Sequence, residues 1–367
     1  MSNSILIGVC TADLHFGAFS PQEQYQTLKE QFINPLLMYP RLDFIVVAGD
    51  FYDHKLMGNS DALYYASLMM ADIVALAQTK GSVVIVLHGT FSHDSDQLKT
   101  FYHYMQRSDV DVRIVTKVQF EIVKGMKVLC IPELYNYPEE EYQRYLTYSN
   151  YYDMALLHGT FEGSGFKPTN DRVFTIDDFK MCEGLMVGGH IHTSGCFSKY
   201  FYYTGSPYRW KFGEEAAKGY LTVMYDMMTH EHYVGFNPIN CRTYITVDIN
   251  EIIGNDPKEV IEYINRLKEE RGMDYLKIKF NIPITGADKV VISNYYRNNA
   301  YTFVEFLNMV EEERYQQQKN GEIPNEINFL LDDRISPLER FVKFVNIKEG
   351  SDFITVDKLK EILSETL

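Results

Sequence analysis

Short apolar runs alternate with amphipathic stretches over the first two-thirds of the chain. ILIGVC (5–10), LDFIVVAG (42–49), GSVVIVLHG (81–89), MALLHG (154–159) and GLMVGG (184–189) are nearly continuous in apolar residues. Runs of this length, rich in Val and Ile, predict strands of a sheet covered on both faces. Between the first two lies SPQEQYQTLKEQFINPLL (20–37), with Ser20 placed as N-cap, Pro21 at the first helical position and Glu23 completing a capping box. A second helix is predicted from Ser60 to Lys80, ended by Gly81. VRIVT, QFEIVKGMKVLCIP, YFYYTGSP and GYLTVMYD predict further strands with short hairpin connections. The fold class expected is α/β to α+β, with a layered sheet core over 1–238.

Beyond that point the pattern changes. YITVDI, PKEVIEYINRLKEE, LKIKFNIP and KVVISNYY predict a small β-α-β-β domain over 239–300. A helix over about 301–318 leads into a polar linker, QQQKNGEIPNE, within 301–330. The tail, 331–367, predicts two short helices. Leu338, Phe341, Val342 and Val345 fall on one face of the first, and Val356, Leu359, Ile362 and Leu363 on one face of the second. Such a pair can pack on its own chain or dock on a partner.

Composition narrows this picture only a little. The 367 residues are 46% hydrophobic and 23% charged, the balance of an ordinary globular protein. A net charge of −15 excludes a chain-wide basic surface for nucleic acid, while leaving room for bound cations or a partner to supply a local positive field. Five scattered cysteines without CxxC spacing suit reduced thiols, and the N-terminal residues do not read as a secretory leader. LYYASLMMADIVALA (63–77) is interrupted by Asp72 and is shorter than a membrane span. The expected location is therefore the cytoplasm.

The chemistry-bearing residues gather where the predicted strands end. Asp13 and His15 follow the first, Asp50 the second, His93 and Asp94 the third, His158 a later one, and His190 and His192 the last. A single histidine after a strand is most often an ordinary hydrogen-bonded residue. Five strand ends carrying His or Asp are different, because ligands for paired ions must converge at the carboxyl edge of a sheet. Mixed imidazole and carboxylate donors suit manganese, iron or zinc better than calcium.

Asp13-Leu14-His15, Gly49-Asp50, His93-Asp94, His158 and Gly189-His190-Ile191-His192 together resemble the ordered signature of the calcineurin-like metallophosphoesterases, over about 1–235. GDFYDHK (49–55) and YTGSPYRWKFGEEAAKGYLTV (203–223) resemble the SbcD-type DNA repair nucleases, in a short, divergent form like a phage-encoded version. The resemblance implies two packed sheets flanked by helices, a small capping domain that contacts DNA, and a C-terminal helical element that binds an SbcC-like ATPase. It implies homodimerisation and a pair of divalent cations, manganese by preference. Asp13, His15 and His192 would hold one ion, His158 and His190 the other, and Asp50 would bridge. His93 would protonate the leaving oxygen, oriented by Asp94, while water acidified by the ions attacks in line. A phosphoesterase for small phosphodiesters or phosphoproteins, and a non-cutting DNA or ATPase tether, are the alternative readings.

One departure stands out. The family's Gly-Asn-His-Asp/Glu element supplies an Asn ligand to the second ion, but Ser92 precedes His93 here, and Gly89 lies four residues upstream. Thr90, Ser92, His88 or water are the candidates to complete that shell, and a weaker or differently shaped second site is expected. The pentapeptide LHGTF occurs twice, at 87–91 and 157–161. Its flanks diverge at once, so two similar strand ends are expected, with His158 a ligand and His88 a bystander. His54 reads as an exposed loop residue, and His230 and His232 as parts of a hairpin.

Overall fold

In the computed structural model the described residues are 4–308, except 19, 135–136, 148–150, 166–171, 199, 252–255, 272–274 and 300. Beyond 308 they are 312, 339, 341–343, 345–346 and 355–358. The chain divides into two compact units, Met1–Ile245 with Met273–Tyr275, and Thr246–Gly272 with Leu276–Leu367.

The first unit is built on two six-stranded sheets. One contains β1 (Ile5–Thr11), β2 (Phe44–Val47), β3 (Val83–Leu87) and β4 (Asp111–Val115), all parallel. The other contains β5 (Gln119–Val123), β6 (Met126–Ile131) and β7 (Tyr152–His158). After a two-residue pair, β8 (Thr160–Phe161) and β9 (Val173–Phe174), it continues with β10 (Cys182–Gly189), β11 (Gly195–Ser198) and β12 (Phe201–Tyr203). The chain then returns to the first sheet as β13 (Lys218–Asp226) and β14 (His232–Ile239). The resulting orders are β14-β13-β1-β2-β3-β4 and β11-β12-β10-β7-β6-β5. In the second sheet β6, β7, β10 and β12 are parallel. This is the layered α/β core expected from the continuous apolar runs.

Alternation within those runs decides which layer each side chain enters. Leu6, Cys10, Phe44, Val46, Ile85 and Leu87 point from the first sheet into a buried cluster shared with Val128, Cys130, Met154, Leu156, Leu185 and Val187 of the second. The opposite face of the first sheet, with Val9, Ile45, Val47, Val84 and Val86, packs on α1 (Pro21–Leu28), the helical turn α2 (Asn34–Leu37) and α3 (Asp61–Lys80). Burying each large side chain is worth about 1.5–3 kcal/mol, so two-sided burial is what holds such strands in the middle of the molecule. Two further turns, α4 (Phe91–Asp94) and α5 (Tyr102–Met105), join β3 to β4, and α6 (Glu139–Leu146) lies between β6 and β7. Tyr142 and Leu146 of α6 cover the outer face of the second sheet.

The α3 helix has the length and composition of a membrane span. Its Ala66, Met69, Met70, Ile73, Val74 and Ala77 are instead fully buried in the core cluster, and Asp72 pairs with Lys29 of the preceding helical segment (3.0 Å). Ser60 accepts from the Leu63 N–H at its start, and Gly81 ends it at φ 67°. The expected capping box at Ser20 does not form. Ser20 makes no side-chain cap, and the Glu23 carboxylate accepts from the Tyr208 hydroxyl and from the Arg242 guanidinium instead. Charge-assisted bonds to a distant arginine outweigh one local bond to an N–H.

The second unit has a three-stranded sheet, ordered β15 (Tyr244–Ile249), β16 (Tyr275–Phe280) and β17 (Thr302–Phe306). Helices α7 (Pro257–Arg271) and α8 (Gly286–Tyr296) connect the strands, giving β-α-β-α-β rather than β-α-β-β. KVVISNYY is therefore a helix. Thr285 caps it by accepting from the Asp288 N–H, a signal that outweighs the strand preference of the Val-Val-Ile run. Likewise 302–306 is a strand parallel to β16, not the start of a helix; pairing with an apolar neighbour outweighs the helical spacing of the segment. The polar linker and the two tail helices fall mostly outside the described residues.

Candidate metal centre

The parallel strands of both sheets deliver their C-terminal ends to one crevice. Backbone bonds stitch the loops together there: the Asp13 N–H donates to Gly49 O, the His15 N–H to Asp50 O and the Phe16 N–H to Phe51 O, each at 3.0 Å. Seven non-glycine described residues have positive φ, and four of them are Asp13, His15, Asp50 and His190. Each such residue costs about 1–3 kcal/mol and persists only where its surroundings over-determine it. Strain is thus concentrated on the residues expected to bind metal. Gly49 and Gly89 permit the crowding. Gly49 sits at φ 94°, and a Cβ there would overlap the His158 ring; a Cβ at Gly89 would overlap the Asp50 backbone and carboxylate.

Three donor sets result: Asp13 with His15 and His192; His15 with Asp50 and His93; and Asp50 with His158 and His190. Within each set the donor atoms lie within 4.8 Å of one another. All six expected ligands are therefore brought together, with Asp50 between the two imidazole groups.

The orientation of the rings is more informative than their proximity. His158 Nδ1 donates to the Ala48 carbonyl (2.6 Å), and His192 Nδ1 donates to Glu214 (2.8 Å). His15 Nδ1 faces Asp53 (3.4 Å). Outer acceptors on Nδ1 leave Nε2 turned inward, the arrangement of metal-binding histidines. His15 Nε2 and His192 Nε2 face each other at 3.1 Å. His158 Nε2 is fully buried without a hydrogen-bond partner among the described residues, 3.3 Å from Asp50 Oδ2. Donors about 2.0–2.2 Å from one ion, at angles near 100°, stand about 3.0–3.5 Å apart, so these spacings fit shared cations.

Charge follows the same logic. Burial opposes ionisation of Asp50, yet His158, His15 and His93 outweigh it and hold the carboxyl well below its usual range. Burial likewise opposes a charged His158 and His15. For His158 the carboxylates of Asp50, Asp13 and Glu133 prevail; for His15 Asp53, Asp50 and Asp13 do; both rings are raised above an ordinary imidazole. A divalent cation would replace those protons.

Several residues have roles that the motifs did not indicate. Glu214 is drawn down to about 2: burial opposes its charge, but His192 and Lys218 outweigh it. Lys218, 2% exposed, reaches Glu214 Oε2 (3.2 Å), Ser206 Oγ (2.9 Å) and the His192 carbonyl (3.1 Å). Glu214 and Lys218, both within the 203–223 stretch, thus form a buried ion pair that sets the His192 ring. Asp53 stands 3.4 Å from His15 Nδ1, which makes no hydrogen bond among the described residues. Glu133, two residues past the end of β6, lies 3.5 Å from His158 Nε2 and 3.4 Å from His190 Nδ1. A lone acid after a strand was the only sequence signal for it.

Asp94 does not orient His93. Its buried carboxylate accepts from the N–H groups of Gly89 (2.7 Å), Tyr52 (3.0 Å) and Asp50 (3.1 Å), and is pushed up to about 6 by burial and by Asp50. The α4 turn carries His93 and Asp94 in different directions, and His93 Nδ1 bonds the Asp53 carbonyl instead. His93 stays in the crevice, edge-on to His15 with centroids 4.8 Å apart. Among the candidates for the missing ligand, Ser92 is exposed. His88 has its two ring nitrogens on the carbonyls of Gly89 and Ser95, the bystander position expected of it. Outside the crevice, Asp153, Glu183 and His230 also cluster, but His230 pairs with the Tyr225 hydroxyl (2.7 Å) and both acids at the turn after β13.

No family model and no curated protein matches the chain. Among the solved structures that match, one crystal structure aligns with a TM-score of 0.37 and 11% identity, over 64% of this chain and 99% of its own. A likeness of that size carries no argument.

Trp210, the sole tryptophan, stacks edge-on with His15 at 5.4 Å and so reports on the first donor set. Manganese should quench its fluorescence. Glu214→Gln keeps the side-chain volume but weakens the hold on His192, and should raise the midpoint of that quench about 10–100-fold. An unchanged midpoint would remove the orienting role of Glu214.

Proposed function

We propose that the chain hydrolyses phosphodiester bonds with a pair of divalent cations, manganese by preference, as the nuclease subunit of an SbcCD-like DNA-processing complex in the cytoplasm. One observation carries the hydrolase reading: Asp50 is shared between two imidazole sets, and around them His158 and His192 are tied outward through Nδ1 while His15 turns Nδ1 toward Asp53, each leaving Nε2 inward. Buried carboxylates and imidazoles at such spacing have no structural need of one another, since apolar residues would fill the crevice at lower cost.

Asp13, His15 and His192 would hold one ion, and His158 and His190 the other, with Asp50 between them. Bound cations there supply a water of lowered pKa and neutralise charge on the phosphoryl oxygens. The protein's own contribution is position. The Asp53 carbonyl fixes the His93 tautomer with the proton on Nδ1, and Nε2 has no protein hydrogen-bond partner among the described residues. An imidazolium so held delivers its Nε2 proton to the departing oxygen. The short α4 turn and the Gln97 amide on the His93 carbonyl (3.3 Å) keep it there.

DNA as substrate, an SbcC-like ATPase as partner and a homodimeric state rest on the sequence resemblance of GDFYDHK and YTGSPYRWKFGEEAAKGYLTV. The test is cleavage of single- and double-stranded DNA in manganese, with and without the ATPase, beside a small diester such as bis(p-nitrophenyl) phosphate. His93→Ala should cut DNA about 10²–10⁴-fold more slowly while binding manganese as the wild type does. Cleavage of the small diester alone would transfer the chain to a small-molecule phosphoesterase. Equal rates for wild type and variant would remove the acid role of His93.

A further inference from the structure

We infer that Glu133 is a ligand of the second cation and replaces the amide ligand that the Thr90–Ser92 segment lacks. The inference rests on the two-metal reading. The Glu133 N–H donates to the His88 carbonyl (3.2 Å), which pins the residue to the end of β3 beside Asp50. Its side chain is 9% exposed, and Oε2 lies 3.5 Å from His158 Nε2 and 3.4 Å from His190 Nδ1. Those are the edge lengths expected between neighbouring donors around one ion, about 3.0–3.5 Å from the bond lengths involved.

Two other observations point the same way. Among the described residues His158 Nε2 is buried and makes no hydrogen bond, although two carboxylates stand within 3.5 Å of it. A shared cation accounts for all three groups where direct bonds do not. The Thr90 hydroxyl is occupied as well, 3.0 Å from Glu133 Oε2 and 3.3 Å from Asp50 Oδ2, while the Thr90 N–H donates to Asp50 Oδ1 (2.6 Å). Thr90 therefore spaces the two carboxylates and is not itself the missing donor. Asp50, His158, His190 and Glu133 form a four-donor set with two carboxylates. Counting Asp13, three carboxylates then face two dications, and the single net positive charge matches the single negative charge of a phosphodiester.

The test is manganese binding to the full-length chain, by calorimetry and by loss of the free-ion paramagnetic resonance signal. Wild type should take up two ions. Glu133→Ala should keep the first, with its quench of Trp210 unchanged, and bind the second at least about 10–100-fold more weakly. Glu133→Gln keeps volume and one oxygen donor, so it should retain both ions with the second weakened less than in the alanine variant. A thermal melt checks that each variant is folded. Two ions at unchanged affinity in both variants would overturn the assignment and leave the two-metal reading standing. Loss of both ions from a folded Glu133→Ala would overturn it too, since only a general loosening of the crevice does that. A wild type that binds no ion would remove the two-metal reading itself, and Glu133 with it.

Discussion

Asp50→Asn is expected to leave the chain folded, to abolish paired manganese binding, and to slow phosphodiester cleavage by about 10³-fold or more, some 4 kcal/mol of transition-state stabilisation. Asn keeps the shape of the side chain and an oxygen for the Thr90 N–H at 2.6 Å. What it removes is the second carboxylate oxygen, 3.3 Å from His158 Nε2 and 3.8 Å from His15 Nε2, the one atom within reach of both imidazole groups. An amide nitrogen there has no lone pair to offer. The loss falls on both ions at once, whereas substitution at Glu133 or His192 should affect one. Calorimetric titration gives the stoichiometry, and oligonucleotide cleavage under the same conditions gives the rate. Two manganese ions bound to Asp50→Asn at wild-type affinity would contradict the shared position of Asp50.

How much of this was legible in the sequence differs from element to element. The layered α/β core was, because continuous Val and Ile runs have few other stable arrangements than two-sided burial. The gathering of Asp13, His15, Asp50, His158, His190 and His192 was, because each stands within a few residues of a strand's carboxyl end, and parallel strands bring those ends to one edge. The spacing of α8 and β17 misled. Val-Val-Ile in α8 and the helical period after Tyr301 are local preferences of a few tenths of a kcal/mol per residue, and the Thr285 cap and the pairing with β16 override them.

Outer-layer residues were hidden for a different reason. Glu133, Asp53 and Glu214 act through distances that only the folded backbone sets; Asp53 and Glu214 lie inside the GDFYDHK and YTGSPYRWKFGEEAAKGYLTV stretches, which do not show the ring each one meets. Glu214 was visible as part of a motif but not as the partner of His192, since 22 positions separate them in the sequence. Asp94 is the instructive case. Adjacency to His93 suggested a carboxylate–imidazole pair, but in a helical turn neighbouring side chains diverge by about 100°. The carboxylate turns into the protein while the imidazole stays at the crevice.

That difference has a large measurable consequence. Asp94→Ala is expected to destabilise the chain by about 3–5 kcal/mol, because three backbone N–H groups lose their acceptor inside the protein and each costs about 1–3 kcal/mol, offset in part by relaxation. Asp94 is fully buried, and its donors Gly89, Asp50 and Tyr52 belong to the loops after β3 and β2. Its removal unties one loop from the other and releases the backbone of Asp50, so manganese affinity should fall together with stability. Asp94→Asn retains one carbonyl oxygen and should fall between wild type and alanine. Urea denaturation with chelator present isolates the stability term; the same titration in manganese adds the binding term. His93→Ala is the control, since a partly buried ring held by one carbonyl should change stability by less than about 1 kcal/mol. If Asp94 acted by orienting His93, the two alanine variants would lose activity alike and neither would lose stability. A chain in which Asp94→Ala melts as the wild type does would contradict the anchoring role of Asp94.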